Sequence, residues 1–127
     1  SQIATMMSMA DGCIELYSGN DDQVLPILSL GGLGVISVLS NVAPKFTHDM
    51  VMKYFDGDTK GATEDQLKAL PLINALFSEV NPIPVKTAMN LMGMNVGPLR
   101  MPLCEMEEDT KTALAKEIEK FGLKLAK

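Results

Sequence analysis

At 127 residues and 46% hydrophobic, the chain is long enough to bury one core and too short for two ordinary domains, which excludes a disordered or fibrous protein. A net charge of -5 with a pI near 4.7 argues against a nucleic-acid partner, which calls for a basic footprint, and no stretch reaches the ~18 apolar residues of a membrane span. Ser1 to Ala10 has no Lys or Arg to form the charged part of a secretory signal. Cys13 and Cys104 have no metal-type spacing and suit a reduced, cytoplasmic compartment.

Charge is unevenly spread. All 11 Lys and Arg lie from Lys45 onward, while Ser1 to Pro44 carries only the carboxylates Asp11, Glu15, Asp21 and Asp22. A solvent-facing segment of that length normally mixes both signs, so residues 1–44 read as mostly interior. The chain opens directly in a helical stretch, Ile3 to Met7, and reads as a piece of something longer.

In chain order, Cys13 to Tyr17 suits a strand, and Ser18 to Asp22 supplies turn residues and caps for a helix over Gln23 to Leu30. Pro26 is tolerable there only in the first turn. Gly31, Gly32 and Gly34 end that helix. Val35 to Leu39 is β-branched without alternation, as in a strand buried on both faces of a parallel sheet, and Pro44 marks the entry to a helix through Phe55. The pattern is βαβα. A helix is then expected over Ala62 to Phe77 with a Glu64–Lys68 pair, its second half buried. The run 81–84 forbids helix locally. A short helix presents Val85, Ala88, Met89 and Met92, residues 93–102 are irregular, and a last helix with Leu114, Ile118 and Phe121 ends at Gly122. The acidic run 105–109 reads as its first turns. Two strands alone leave both edges and both faces of a sheet open, so further strands must come from elsewhere.

Few residues offer chemistry of their own. His48 is the only histidine, which excludes a triad or a two-histidine metal site within the chain, and it reads as a surface residue. Asp21–Asp22 favours a helix-dipole role over an acid/base pair. The glycines at 31, 32 and 34 precede a strand, the wrong order for phosphate binding. Lys86 has the look of an amine nucleophile, but a partly exposed lysine is the commoner outcome. The methionines read as core filler.

Four segments together resemble the dihydrodipicolinate synthase family: Tyr17-Ser18-Gly19-Asn20-Asp21-Asp22, Gly34-Val35-Ile36-Ser37-Val38 with Asn41-Val42, Asn81-Pro82-Ile83-Pro84-Val85-Lys86, and Leu99-Arg100-Met101-Pro102-Leu103. Related class I aldolases such as N-acetylneuraminate lyase share the fold. The resemblance implies the C-terminal half of a (β/α)8 TIM barrel, with residues 1–56 carrying its last two strands (Ile14 to Tyr17 and Val35 to Leu39) and residues 57–127 forming a C-terminal helical extension. It implies a lyase of lysine and diaminopimelate biosynthesis that condenses pyruvate with aspartate semialdehyde through a Schiff base, without metal or cofactor, as a cytoplasmic homotetramer.

The same resemblance puts the Schiff-base lysine, the catalytic tyrosine and the threonines in the absent half. No catalytic residue is then expected here, and Lys86 does not match the catalytic position. Gly19 and Ile36, the latter through its carbonyl, are implied to line the substrate pocket, with Asn20, Asp21 and Asn81 near its mouth. Leu30 and the 72–77 region are implied to lie at a subunit interface. The rival reading is a non-catalytic assembly or binding fragment.

Overall fold

The computed structural model describes residues 2–126. An isolated first helix, α1 (Gln2–Ala10), has no buried residue. Next come β1 (Tyr17–Ser18), a 3-10 turn at Asp21–Gln23, α2 (Val24–Ser29) and β2 (Gly34–Val35). The strands pair in parallel, Tyr17 opposite Gly34 and Ser18 opposite Val35. A second 3-10 turn at Leu39–Asn41 leads into α3 (Pro44–Phe55), α4 (Thr59–Leu76), α5 (Ile83–Leu91) and α6 (Glu108–Phe121).

The βαβα order holds, but both strands are shorter than the sequence suggests. The ladder runs one bond beyond each end, from Leu33 N–H to the Leu16 carbonyl and from Ile36 N–H to the Ser18 carbonyl, both 2.8 Å. Beyond Ile36 the chain leaves the sheet because the amides of Val38 and Leu39 are taken by the Asp21 carboxylate, so the expected strand to Leu39 gives way to a turn. Pro26 is the third residue of α2 and Pro44 the first of α3, where a missing N–H breaks no helical bond. Gly31 has φ +90°, and a Cβ on Gly32 would lie 2.7 Å from the Ile27 side chain and 2.8 Å from its carbonyl oxygen. These glycines end α2 tightly.

Helix α4 starts earlier than expected, at Thr59, because the Asp58 side chain accepts the Gly61 N–H at 2.9 Å. It also accommodates Pro71 in its interior. Helix α5 begins directly at Ile83, with Pro84 in its first turn, so the Pro-rich run caps a helix instead of excluding one. The final helix starts only at Glu108. Residues 105–107 precede it, and Met106 among them is buried.

Two apolar clusters hold the chain together. The larger gathers Leu39, Val42 and Ala43 with Leu72, Leu76, Ile83, Ala88, Leu114 and Ile118, and the smaller joins Val24, Leu25 and Leu28 to Met50 and Ala62. Each draws residues from both sides of position 56. Helix α4 is the hub, packed on α3 and α6, and Phe46 meets Phe121 edge-on at 4.8 Å. Lys68 lies 5.8 Å over both rings, and Glu64 pairs instead with Lys60 at 4.0 Å.

The reading of residues 1–44 as interior is corrected. Met9 is 81% exposed, Ile36 76%, and Ile14, Tyr17 and Leu33 are also open. Their apolar faces are largely uncovered among the described residues.

Candidate functional site

In a parallel sheet the C-terminal ends of the strands and the loops beyond them are where a site is built. Ser18 is paired with Val35, so Gly19 and Ile36 occupy the next register, side by side at that end of the ladder. Both are exposed. Among the described residues no backbone amide donates to the Ile36 carbonyl, which is thereby free to face a ligand.

The loops behind these residues are tied. Ser18 is buried, and its hydroxyl donates to the Asn20 carbonyl at 2.7 Å and accepts the Asn20 N–H at 3.2 Å, which shapes the Gly19 turn. Asp21 is 2% exposed, so it does not present its carboxylate to a pocket mouth. Its Oδ2 accepts the N–H groups of Val38 and Leu39, each at 2.9 Å, capping the Leu39–Asn41 turn from another part of the chain. Bonds from a carboxylate to backbone amides contribute about 1.5–3 kcal/mol each. Its Oδ1 is buried with no partner among the described residues. Gln66 of α4 donates to the Asp21 carbonyl at 2.8 Å and accepts the Leu25 N–H at 3.4 Å. Neither Asp21's actual partners nor Gln66 was visible in the sequence, since both depend on contacts 17 to 45 positions apart.

The remaining candidates scatter. Asn20 is exposed beside Gly19, while Asn81 is exposed in the loop before α5 with no hydrogen bond to either pocket residue. His48 is exposed next to Asp49, whose carboxyl is held below its usual range by hydrogen bonds from Lys45 and His48. Lys86 donates to the Pro98 carbonyl at 2.6 Å and lines a cavity of about 300 Å³ with Asn90, Glu105 and Lys111, which includes neither Gly19 nor Ile36. Both cysteines are free and exposed. Among the described residues no group of three His, Cys, Asp or Glu could hold a metal, and no helix is long and apolar enough to cross a membrane. Leu30 is exposed, as an interface position requires, but Leu72, Ile73 and Leu76 fill the chain's own core, leaving Asn74 and Phe77 open in that region.

Parallel strands joined through a helix, with loops gathered at their C-terminal ends, define a βαβ unit of the α/β class. The profile of the dihydrodipicolinate synthetase family matches residues 1–121, and the chain belongs to that family. It is 58% identical to the 4-hydroxy-tetrahydrodipicolinate synthase of Lachnoclostridium phytofermentans and 56% identical to that of Clostridium tetani, in each case over 97% of this chain and 42% of the relative. The dihydrodipicolinate synthase of Thermotoga maritima superposes with a TM-score of 0.91 at 43% identity, covering 97% of this chain and 43% of that one. That of Aquifex aeolicus gives 0.92 at 34% identity over 98% and 43%. The chain thus spans under half the length of the proteins it matches. Membership does not by itself make it their C-terminal half.

Proposed function

We propose that the chain is part of a pyruvate-dependent lyase that condenses pyruvate with aspartate semialdehyde in lysine and diaminopimelate biosynthesis. The supporting observation is the family match over nearly the whole chain combined with Gly19 and Ile36 in register at the strand ends. One structural neighbour, from Acinetobacter baumannii, is described in complex with pyruvate. On this reading a lysine outside the chain loses water with the pyruvate ketone to form an imine. Loss of a methyl proton gives the enamine, whose carbon attacks the aldehyde, and the amino group of the aldehyde substrate then adds to the imine carbon, closing the ring as the lysine amine leaves. Gly19 allows close approach of the adduct, and the Ile36 carbonyl accepts a hydrogen bond beside it. The enzyme works in the cytoplasm as a homotetramer, and this chain alone is inactive because it lacks the amine that makes pyruvate a nucleophile.

Our placement of the chain is toward the C-terminal side of the whole enzyme, with residues 1–56 completing the barrel and 57–127 forming the helical extension. What supports it is the strand count: no strand follows Val35 among the described residues, and four helices come in succession. The opposite placement, against the start of the relatives, requires a stretch of that length to alternate strand and helix throughout. Reading the coding sequence on both sides decides it. Most of the remaining length lies upstream on our placement and downstream on the other.

The activity is tested by incubating this chain, and separately the whole enzyme, with pyruvate and borohydride and weighing the products. We expect a trapped adduct on the whole enzyme and none here. An adduct on Lys86 contradicts the assignment, and no adduct on the whole enzyme contradicts the function. In the whole enzyme Ile36→Pro removes the N–H that bonds Ser18 and should abolish turnover, whereas Ile36→Val should largely keep it.

A further inference from the structure

The helical part of the molecule and the strand ends meet at one buried polar chain. Gln66, 6% exposed on α4, donates to the backbone carbonyl of Asp21, and the Asp21 side chain in turn holds the amides of Val38 and Leu39. Val38 and Leu39 stand two and three residues after Ile36. Ser18, at the end of β1, fixes the other side of the same loop by bonding Asn20. The segment that carries Ile36 is therefore pinned at both ends: by the Ser18 carbonyl on its own N–H, and by Asp21 just beyond it.

We propose that Gln66 and Asp21 are positioning residues for the substrate pocket, fixing the Ile36 carbonyl through the 38–39 amides and so coupling the helical extension to the strand ends. The inference rests on the pocket role of Ile36 proposed above. Three features favour positioning over general packing. Asp21 spends its charge on two amides of the other loop and none on its own helix. Gln66 uses both ends of its amide, one on Asp21 and one on Leu25, so the loop and α2 are held in one frame. Both residues are buried, which shields these bonds from competing water.

The test uses the whole enzyme with Gln66→Leu, Asp21→Ala and Asp21→Asn, which keeps one acceptor oxygen for the two amides. Pyruvate KM and kcat are measured beside amide hydrogen exchange. We expect Gln66→Leu to speed exchange at Val38 and Leu39 about tenfold and to raise KM by a similar factor, and Asp21→Ala, which removes the acceptor of both amides, to do so by more, with kcat within about twofold in each. Asp21→Asn should restore most of both. If Asp21→Ala does not fold, Gln66→Leu carries the test. Faster exchange at 38–39 with unchanged KM overturns the proposal, as does a uniform rise in exchange across the chain. Borohydride trapping of pyruvate on the unaltered enzyme reports separately on the function: its absence sinks that reading and leaves the exchange result standing as a statement about the loop.

Discussion

Residues 2–36 and residues 39–126 use apolar side chains in opposite ways. In the later region Leu39, Leu72, Leu76, Leu114 and Ile118 bury one another almost completely, and charged residues cover the outside. In the earlier region the α2 side chains and, in part, Val35 pack against Met50 and Ala62, while Met9, Ile14, Tyr17, Leu33 and Ile36 stay in the open. A parallel pair two residues long has two edges and two faces to satisfy and satisfies few of them here. The difference teaches that the helical part buries its apolar side chains against one another, whereas the strand region leaves much of its apolar surface uncovered among the described residues.

That contrast can be broken most sharply by substitution. Leu114→Ala removes a fully buried side chain from the larger cluster and should cost about 2–5 kcal/mol in urea unfolding of this chain. Ile36→Ala or Met9→Ala in the same chain should stay within about 0.5 kcal/mol, since both side chains are largely exposed; a large loss would mean that the strand region packs in solution after all. Gly32→Ala drives a Cβ into Ile27 and should cost about 1–3 kcal/mol, read by the same unfolding. Asp58→Ala deletes the α4 cap and should cost roughly 1 kcal/mol.

The smallest effect is electrostatic. Lys53 donates to Asp65 at 2.6 Å, and that hydrogen bond raises its pKa above the ordinary lysine value. A raised lysine contributes stability that is complete below its unfolded pKa and lost as pH climbs through the folded one. A Tm series into alkali should fall less steeply for Lys53→Met than for the unaltered chain, while at neutral pH the two should differ little because the pair is partly exposed.

Much of the backbone was legible because its signals are local. Pro26 and Pro44 mark helix starts, Gly122 ends α6 at φ +97°, and the spacing of Leu114 and Ile118 shows their shared face. The uneven charge misled for residues 1–44, because a shortage of charged side chains does not bury the apolar ones, and Met9, Ile14, Tyr17, Leu33 and Ile36 stay exposed. Strand lengths failed because Asp21 competes for the amides of Val38 and Leu39, an arrangement set by a fold and not by a run of β-branched residues. Leu72 and Leu76 were misread as interface because apolarity alone does not separate a core face from a docking face. At the site, Gly19 and Ile36 came from resemblance, and each directly follows one member of the Ser18–Val35 pair, a closeness that a separation of 17 positions hides in the sequence. Gln66 lay beyond reach, since a glutamine in a helix carries no mark of burial.

Amide hydrogen exchange on this chain, alone and after adding the remainder of the proposed whole enzyme as a separate chain, tests the central claim most directly. The account predicts fast exchange at residues 13–19 and 33–36 in the isolated chain and strong protection once the remainder is added, with α4 and α6 protected in both states. Protection of the strands in a monodisperse isolated chain, or no gain when the remainder is supplied, would contradict it.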